Sequence, residues 1–285
     1  MNLKPRVYVS SGGGIRIGAT WGSQLEGEKQ NAFHYSMFDT FIGTSAGALD
    51  AALTANRWSA QQKLDLFFKT DFSRFFLPGG LHIMPFMLRK ALSAVFPMSL
   101  KRLADWIDSL GLMPVSGMLT NTVNSLTNEH IVYCEDPPLW WPASSNIKLV
   151  TQAFSTLGFG TVLTRSMALP GLNADEPEFR DGGYAENPLL SILPSDSTGV
   201  MINLGYPGNA KWHGGKNYPV AALDQAMYYV EYKNYASTQH LIAHYQALKV
   251  IYPNIFDVDS TNFALSINDK RKIVKTSIQN TQSQW

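Results

Sequence analysis

Ser45 lies in a sequence context that suits a nucleophile. The segment 38–56 reads FDTFIGTSAGALDAALTAN, in which apolar residues precede Gly43 and a run of small residues and leucine follows Gly47. This pattern predicts a buried strand, a turn of the form G-x-S-x-G and a helix that packs closely on a sheet. In such a turn the serine takes a strained backbone conformation, and glycine at both flanks avoids clashes with the neighbouring strand and helix. We therefore predict an exposed, nucleophilic Ser45 hydroxyl at a helix N-terminus.

A glycine-rich segment, VSSGGGIRIG, follows the first predicted strand. The backbone amides of Gly12, Gly13 and Gly14 suit a nest for an anion, either a phosphate or the oxyanion of acyl transfer. No Gly-Lys-Ser/Thr follows, so the P-loop pattern fails. If the strands before this segment and before Ser45 are parallel neighbours, both loops leave the same sheet edge and the amides face the hydroxyl. Arg16 is expected to stabilise this loop, to bind an anionic head group or simply to be solvated.

A serine hydroxyl needs a base, and histidines are the first candidates. The order serine, acid, histidine allows Asp181 with His213, His240 or His244, none of which has a distinctive local sequence. His240 and His244 are four residues apart on a predicted helix, where solvation is favoured over a metal site.

The stretch EFRDGGYAENP is more distinctive than any histidine context. Asp181 is followed by Gly182 and Gly183, which predict a tight turn that another backbone can approach closely. Taken alone, this stretch is also compatible with an ordinary Asp-Gly turn.

Strand and helix patterns alternate along the chain. Strands are predicted at 7–10, 38–42, 130–134, 147–152 and 199–204, and helices at 17–30, 46–56, 59–70, 99–110, 117–125, 222–249 and 267–280. Alternation favours an α/β fold with a mostly parallel sheet covered on both faces. No repeat or linker divides the chain, so residues 1–285 are predicted to form a single domain.

Composition excludes several classes of protein. The chain has 285 residues, of which 45% are hydrophobic and 16% charged, so it is globular rather than disordered. A net charge of +1 predicts no general affinity for nucleic acid. The single cysteine, Cys134, excludes an internal disulfide and a cysteine-based metal cage. No secretory signal or membrane-spanning stretch is visible, which leads us to expect a soluble, cytoplasmic protein.

Basic and aromatic residues are concentrated in one segment. Between Arg57 and Arg102 eight basic residues stand against two acidic ones, a net charge of +6, among many phenylalanines and methionines. We predict that 57–115 forms a cap or lid, with 66–98 lying against an anionic lipid surface or closing over an apolar substrate. The alternative is a pair of helices whose aromatic residues fill the core. The loop PPLWWP at 137–142 offers a second apolar surface.

Taken together, the motifs resemble one enzyme family. GGGIR, GTSAG and DGG occur in the order and at the intervals of the patatin-like phospholipase family. RSMALPGL is similar to that family's Ala-Ser-x-Ala-x-Pro-x-x-Phe stretch, YAENP to the Asn-Pro that follows, and FALSINDKRKIV to its C-terminal helix. The resemblance covers about residues 6–280.

The resemblance implies a three-layer α/β/α sandwich and a Ser–Asp dyad without histidine. Ser45 is then the nucleophile, Asp181 the general base, and the amides of Gly12, Gly13 and Gly14 the oxyanion hole. It also implies a metal-free lipid acyl hydrolase, of phospholipase A or lysophospholipase type. An aspartate base works near neutral pH when burial raises its pKa, so partial burial of Asp181 is expected.

The chain departs from the family pattern at two places. Ser11 stands where aspartate is common and Ile17 where glycine is common, and Ser166-Met167-Ala168 differs from Ala-Ser-x-Ala. No catalytic side chain is lost. Three alternatives stay open: a soluble acyl esterase or thioesterase with the same dyad, a non-catalytic binding or storage protein on the same fold, and a histidine-dependent triad.

Overall fold

The computed structural model describes residues 4–75, 99–142, 146–168, 176, 178–204, 240–255, 258 and 263–285. The strands are β1 Arg6–Ser10, β2 Thr40–Thr44, β3 Met118–Asn124, β4 Glu129–Cys134, β5 Lys148–Val150, β6 Phe179–Asp181, β7 Thr198–Ile202 and β8 Leu248–Ile251. The helices are α1 Ile17–Lys29, α2 Ala46–Ala55, α3 Ala60–Lys69, α4 Leu100–Asp108, α5 Ala153–Thr156, α6 Phe159–Ser166 and α7 Ile267–Thr281.

The strands form one sheet of eight in the order β5-β4-β3-β2-β1-β7-β8, with β6 paired to β3. Neighbours run parallel except that β4 and β6 are antiparallel to β3. β1 and β2 are adjacent and parallel, as the loop geometry of Ser45 requires. The predicted α/β fold with a mostly parallel sheet is confirmed.

The two faces of the sheet are covered by different parts of the chain. On one face, α1, α2, α3, α4, α6 and α7 contribute to an apolar cluster that includes Trp21, Leu53 and Phe67. On the other face, strand residues such as Val9 pack against the segment 189–193 and against Tyr245. Each strand of the centre is therefore buried on both sides, as is usual for a parallel sheet.

The main error of the sequence interpretation concerns β3. Residues 117–125 were expected to be helical, but Met118–Asn124 is a central strand that is buried along almost its whole length. Its threonines and valine favour extended backbone, and burial on both faces removes the alternation by which a strand is usually recognised. The short elements β6, β8, α5 and α6 were not predicted either. In the expected helix 222–249, residues 222–239 lie outside the described residues and 248–249 belong to β8.

The basic segment contributes to the core where the structure describes it. Phe67, Phe72 and Phe75 are buried, and α3 and α4 pack within the large apolar cluster. Residues 76–98 of the expected lid lie outside the described residues. In the loop 137–142, Trp140 and Trp141 pack on the opposite face of the sheet. That loop therefore does not extend the cluster to which Phe72 and Phe75 belong.

No helix in the described ranges is both long enough and apolar enough to cross a membrane.

Candidate active site

Ser45 occupies a strained turn between β2 and α2. Its backbone has φ 56° and ψ −133°, a conformation that residues other than glycine rarely adopt. A side chain at Gly43 would lie 2.2 Å from the Gly47 carbonyl oxygen, and one at Gly47 would lie 2.3 Å from the Ser10 carbonyl oxygen. Both glycines are therefore needed so that helix, turn and strands fit together, in agreement with the G-x-S-x-G interpretation.

Strand β3 aligns the two candidate catalytic residues. Its residue Asn121 pairs with Thr44 of β2, and the next residue, Thr122, pairs with Asp181 of β6. Strand β2 therefore pairs with β3 as far as Asn121, and β6 pairs with β3 from the next residue onward. Because Ser45 directly follows Thr44, it meets Asp181 although 136 positions separate them.

The Ser45 hydroxyl donates a hydrogen bond to Asp181 Oδ2. The other carboxylate oxygen, Oδ1, accepts from the backbone N–H of Gly183 at 2.8 Å. Burial raises the pKa of Asp181 to about 6, although the hydrogen bonds from Ser45 and Gly183 act in the opposite direction. A carboxylate with this pKa and this hydrogen bond has the chemistry required of a general base near neutral pH.

The glycine-rich loop lies against the serine. A side chain at Gly12 would lie 2.6 Å from Ser45 Cβ, and Gly14, with φ 54°, lines the same pocket as Ser45. The N–H of Gly12 donates to Asn187 Oδ1 at 2.6 Å, so this amide already has an acceptor. The N–H groups of Gly13 and Gly14 have no acceptor among the described residues. Of the three amides predicted for an oxyanion hole, those of Gly13 and Gly14 are therefore the two without an acceptor in the described part of the chain.

Arg16 stabilises this loop by hydrogen bonds to backbone carbonyl groups. The residue is buried, and its Nε donates to the carbonyl oxygen of Val258 at 3.0 Å. A second guanidinium nitrogen is 3.5 Å from the carbonyl oxygen of Leu204, the residue over which Gly13 packs. Of the three roles considered for Arg16, these contacts favour loop stabilisation over solvation.

An apolar pocket opens beside the serine. Ser45 and Asp181 supply polar side chains in a lining that is otherwise aliphatic and aromatic. The lining residues are Gly14, Ile15, Ile17, Ser45, Ala46, Leu49, Phe72, Phe75, Leu103, Trp106, Met167, Asp181 and Phe263. The Ser45 side chain is therefore buried within the protein rather than exposed on its surface, and it faces a space suited to a hydrocarbon chain.

No described histidine bonds to Ser45 or Asp181. His240 and His244 are exposed, and His213 lies outside the described residues. His130 is partly buried, and this burial lowers its pKa to about 4, so it is neutral at physiological pH. Its Nε2 contacts the side chain of Asn121 at 3.1 Å instead.

Three site residues escaped the sequence interpretation. Ser166 Oγ accepts the backbone N–H of Ser45 at 3.0 Å, Asn187 bonds to Gly12, and Asn121 connects several segments behind the dyad. Ser166 and Asn187 lie in stretches that resemble family motifs, but the sequence interpretation assigned neither residue a role. Asn121 carried no signal, because its strand was expected to be a helix.

Comparison with known proteins gives a structural likeness only. No known family model and no curated protein sequence matches this chain. VipD from Legionella pneumophila has a TM-score of 0.50 and 12% sequence identity over 99% of this chain and 67% of VipD. The type III effector protein ExoU has a TM-score of 0.45 and 13% identity over 99% of this chain and 53% of ExoU. The chain thus spans between about half and two thirds of these proteins, and the likeness to VipD shows a shared fold.

Proposed function

We propose that this protein is a lipid acyl hydrolase, a carboxylic ester hydrolase of phospholipase A or lysophospholipase type. The observation that carries the proposal is the hydrogen bond from Ser45 Oγ to the buried carboxylate of Asp181 at the wall of an apolar pocket. The motif resemblance to patatin-like phospholipases supports the same reaction. The likeness to VipD supports the fold on which that chemistry would operate.

The first half-reaction transfers the acyl group to the serine. Ser45 Oγ attacks the ester carbonyl carbon as its proton passes to Asp181 Oδ2. The carbonyl oxygen becomes an oxyanion, which the amides of Gly13 and Gly14 stabilise by about 3 kcal/mol for each well-placed donor. The intermediate collapses, the bond to the leaving alkoxide breaks, and Asp181 returns the proton to that oxygen.

The second half-reaction releases the fatty acid. Asp181 takes a proton from a water molecule, whose oxygen attacks the acyl-Ser45 carbonyl carbon. The second tetrahedral intermediate uses the same two amides. Its collapse breaks the bond to Ser45 Oγ, which recovers its proton from Asp181, and the carboxylic acid leaves.

The pocket accounts for a preference for acyl groups. Phe72, Phe75, Leu103 and Trp106 form an apolar wall from the segment that was expected to be a lid. Such a wall favours transfer of a hydrocarbon chain out of water by about 0.8 kcal/mol for each buried methylene. We place the acyl chain of the substrate there, with the ester carbonyl at Ser45.

A fluorophosphonate probe tests the proposal directly. The probe phosphonylates an activated serine, and mass spectrometry locates the adduct. We expect labelling of Ser45 in the wild type, none in Ser45→Ala, and a large loss in Asp181→Asn. Labelling retained in Asp181→Asn would indicate that a histidine acts as the base. Variants at His240 and His244 would then identify that histidine. A folded protein that is never labelled, with or without vesicles, would favour the binding-protein alternative.

A soluble acyl esterase or thioesterase is the second candidate. The burial of Phe72 and Phe75 favours it, because these residues cover the pocket rather than face a lipid surface. The two functions differ in the hydrolysis of phospholipid vesicles and of short p-nitrophenyl esters. A strong preference for vesicles would support the lipid hydrolase and the peripheral membrane contact that we proposed for 66–98. A preference for the monomeric esters would support the second candidate.

A further inference from the structure

Asn121 lies behind the dyad and is fully buried. Its Oδ1 accepts a hydrogen bond from Thr44 Oγ1 at 2.9 Å, immediately before Ser45. Its Nδ2 lies 3.1 Å from the carbonyl oxygen of Gly182 and 3.3 Å from that of Glu186. One side-chain amide therefore connects the residue before the candidate nucleophile with the turn after the candidate base.

The orientation of this amide follows from its neighbours. Two backbone carbonyl oxygens lie near one terminal atom, so that atom must be the nitrogen, since two oxygens would repel. The same nitrogen lies 3.1 Å from His130 Nε2, which must then be the unprotonated nitrogen of a neutral imidazole. The low pKa that burial gives to His130 agrees with this state.

Backbone contacts reinforce the side-chain bonds. A side chain at Gly182 would lie 2.3 Å from the carbonyl oxygen of Asn121, so the Asp181–Gly183 turn rests directly on this residue. Asn121 also pairs with Thr44 in the sheet. A shift of Asn121 would therefore change the position of Ser45 relative to Asp181.

We propose that Asn121 is a positioning residue, which fixes the separation of Ser45 Oγ and Asp181 by bonding at once to Thr44 and to the turn at Gly182. The inference rests on the proposed function, because the dyad must act for its geometry to matter. Asn121 does not touch the pocket, so its effect is on the reaction rate rather than on the binding of an acyl chain.

Near-isosteric variants separate positioning from folding. Asn121→Asp keeps the shape of the side chain but turns a carboxylate oxygen toward the carbonyl oxygens of Gly182 and Glu186. Thr44→Val removes the hydroxyl that donates to Asn121, whereas Thr44→Ser retains it. Thr120→Val is the matched control, since Thr120 is a buried neighbour on β3 whose hydroxyl has no hydrogen-bond partner in the described part of the chain.

The readout is the inactivation of each folded variant by a fluorophosphonate, with kinact and KI determined separately. We expect Asn121→Asp to lower kinact by about 10- to 100-fold with KI unchanged, because small misplacements of reacting groups cost rates of this order. Thr44→Val should lower kinact as well, and Thr44→Ser and Thr120→Val should behave as the wild type.

The outcomes separate the inference from the proposed function. Wild-type values of kinact in folded Asn121→Asp and Thr44→Val would overturn the inference and leave the dyad intact. Equal losses in Thr44→Val and Thr44→Ser would also overturn it, because the hydroxyl would then be irrelevant. If Asn121→Asp does not fold, the Thr44 pair decides. A wild type that never labels at Ser45 would overturn the proposed function and this inference together.

Discussion

Asp181 combines burial with two hydrogen bonds, and its protonation state follows from their balance. Burial disfavours the carboxylate and raises the pKa to about 6, while the bonds from Ser45 and Gly183 limit that rise. The carboxylate needs to be ionised to accept the serine proton. The burial that suits Asp181 to the proposed role of a base near neutral pH therefore also makes its charge unfavourable in the folded state.

The rate of Ser45 labelling should depend on pH through Asp181. Below pH 6 the carboxylic acid predominates and has no capacity for the proton, so the rate should rise with pH through about 6 and then level off. The measurement is the labelling rate between about pH 4 and pH 8, where the fold is first checked by circular dichroism. His130 has a pKa of about 4 and does not titrate near that midpoint. A rate that does not change across this range would argue against Asp181 as the base.

Asp181→Asn should stabilise the fold while it greatly reduces the labelling of Ser45. The folded-state pKa lies above the ordinary value of 3.8, so the stability of the wild type falls as the pH rises from about 4 to about 6, and the loss is complete above about pH 6. The rise corresponds to about 3 kcal/mol at most, and we expect a gain of about 1–3 kcal/mol at pH 8. Below about pH 4 the acid is protonated in both states and the gain should vanish.

Urea unfolding of the wild type and of Asp181→Asn, at pH 8 and below about pH 4, measures this gain in stability. Asp136→Asn, at an exposed position, is the control and should change the free energy of unfolding by less than about 0.5 kcal/mol. A variant that is less stable than the wild type at pH 8 would contradict the prediction.

At the scale of elements, a buried polar cluster fixes the helix that follows Ser45. Asp50 of α2 and Lys63 of α3 are fully buried, with Nζ 2.9 Å from Oδ1. Tyr8, Trp21 and Gln24 also donate to the Asp50 carboxylate, so β1 and α1 join the cluster. Burial would raise the pKa of Asp50, but the Lys63 ammonium and the hydrogen bonds lower it below its ordinary value. The core therefore contains an ion pair between Asp50 and Lys63, and most hydrogen-bonding groups of this pair have partners in the cluster.

Lys63→Met should strongly destabilise the protein, because Asp50 would lose its counter-charge inside the core. We expect a loss of about 3–5 kcal/mol, measured by urea unfolding, and partial recovery in Lys63→Met with Asp50→Asn. The control is Lys101→Met, which removes an exposed pair with Asp105 and should cost about 0–1 kcal/mol. Similar losses for the two lysines would contradict this account.

At the scale of the whole molecule, α7 closes the fold against elements near the start of the chain. Ser277 Oγ donates to the carbonyl oxygen of Ala19 in α1 at 2.7 Å. Lys270 Nζ donates to the carbonyl oxygen of Phe67 at 2.8 Å and lies 5.5 Å from the centre of the Phe72 ring. Because Phe72 lines the pocket, the C-terminal helix also supports the wall of the candidate site.

Two isoleucines of α7 give a matched test of this role. Ile273 is 1% exposed and belongs to the apolar cluster, whereas Ile267 on the same helix is 44% exposed. Ile273→Ala should lower the free energy of unfolding by about 2–5 kcal/mol, because it leaves a cavity in the core. Ile267→Ala should lower it by less than about 1 kcal/mol. Both variants are measured by thermal and by urea unfolding. Equal losses of stability in Ile273→Ala and Ile267→Ala would show that α7 is not anchored as described.

The success of the sequence interpretation differed between elements for physical reasons. The turn at Ser45 and the helix at 267–280 were predicted well, because glycine spacing, caps and local periodicity encode them. Strand β3 was mistaken for a helix because it is buried on both faces and shows no alternation. The short strand β6 had no local signal, since three residues gain their extended form only by pairing with β3.

The sequence by itself determined the local chemistry of this protein: a serine in a G-x-S-x-G turn, a glycine-rich loop after a neighbouring strand, and an Asp-Gly-Gly turn. The tertiary structure alone decided that Asp181 reaches Ser45, that Asn187 bonds to Gly12, and that Asn121 joins the segments around the dyad. These contacts join residues 61 to 175 positions apart. Local patterns record the conformation of a short segment. The proximity of distant segments follows from how the whole sheet pairs and buries its surface.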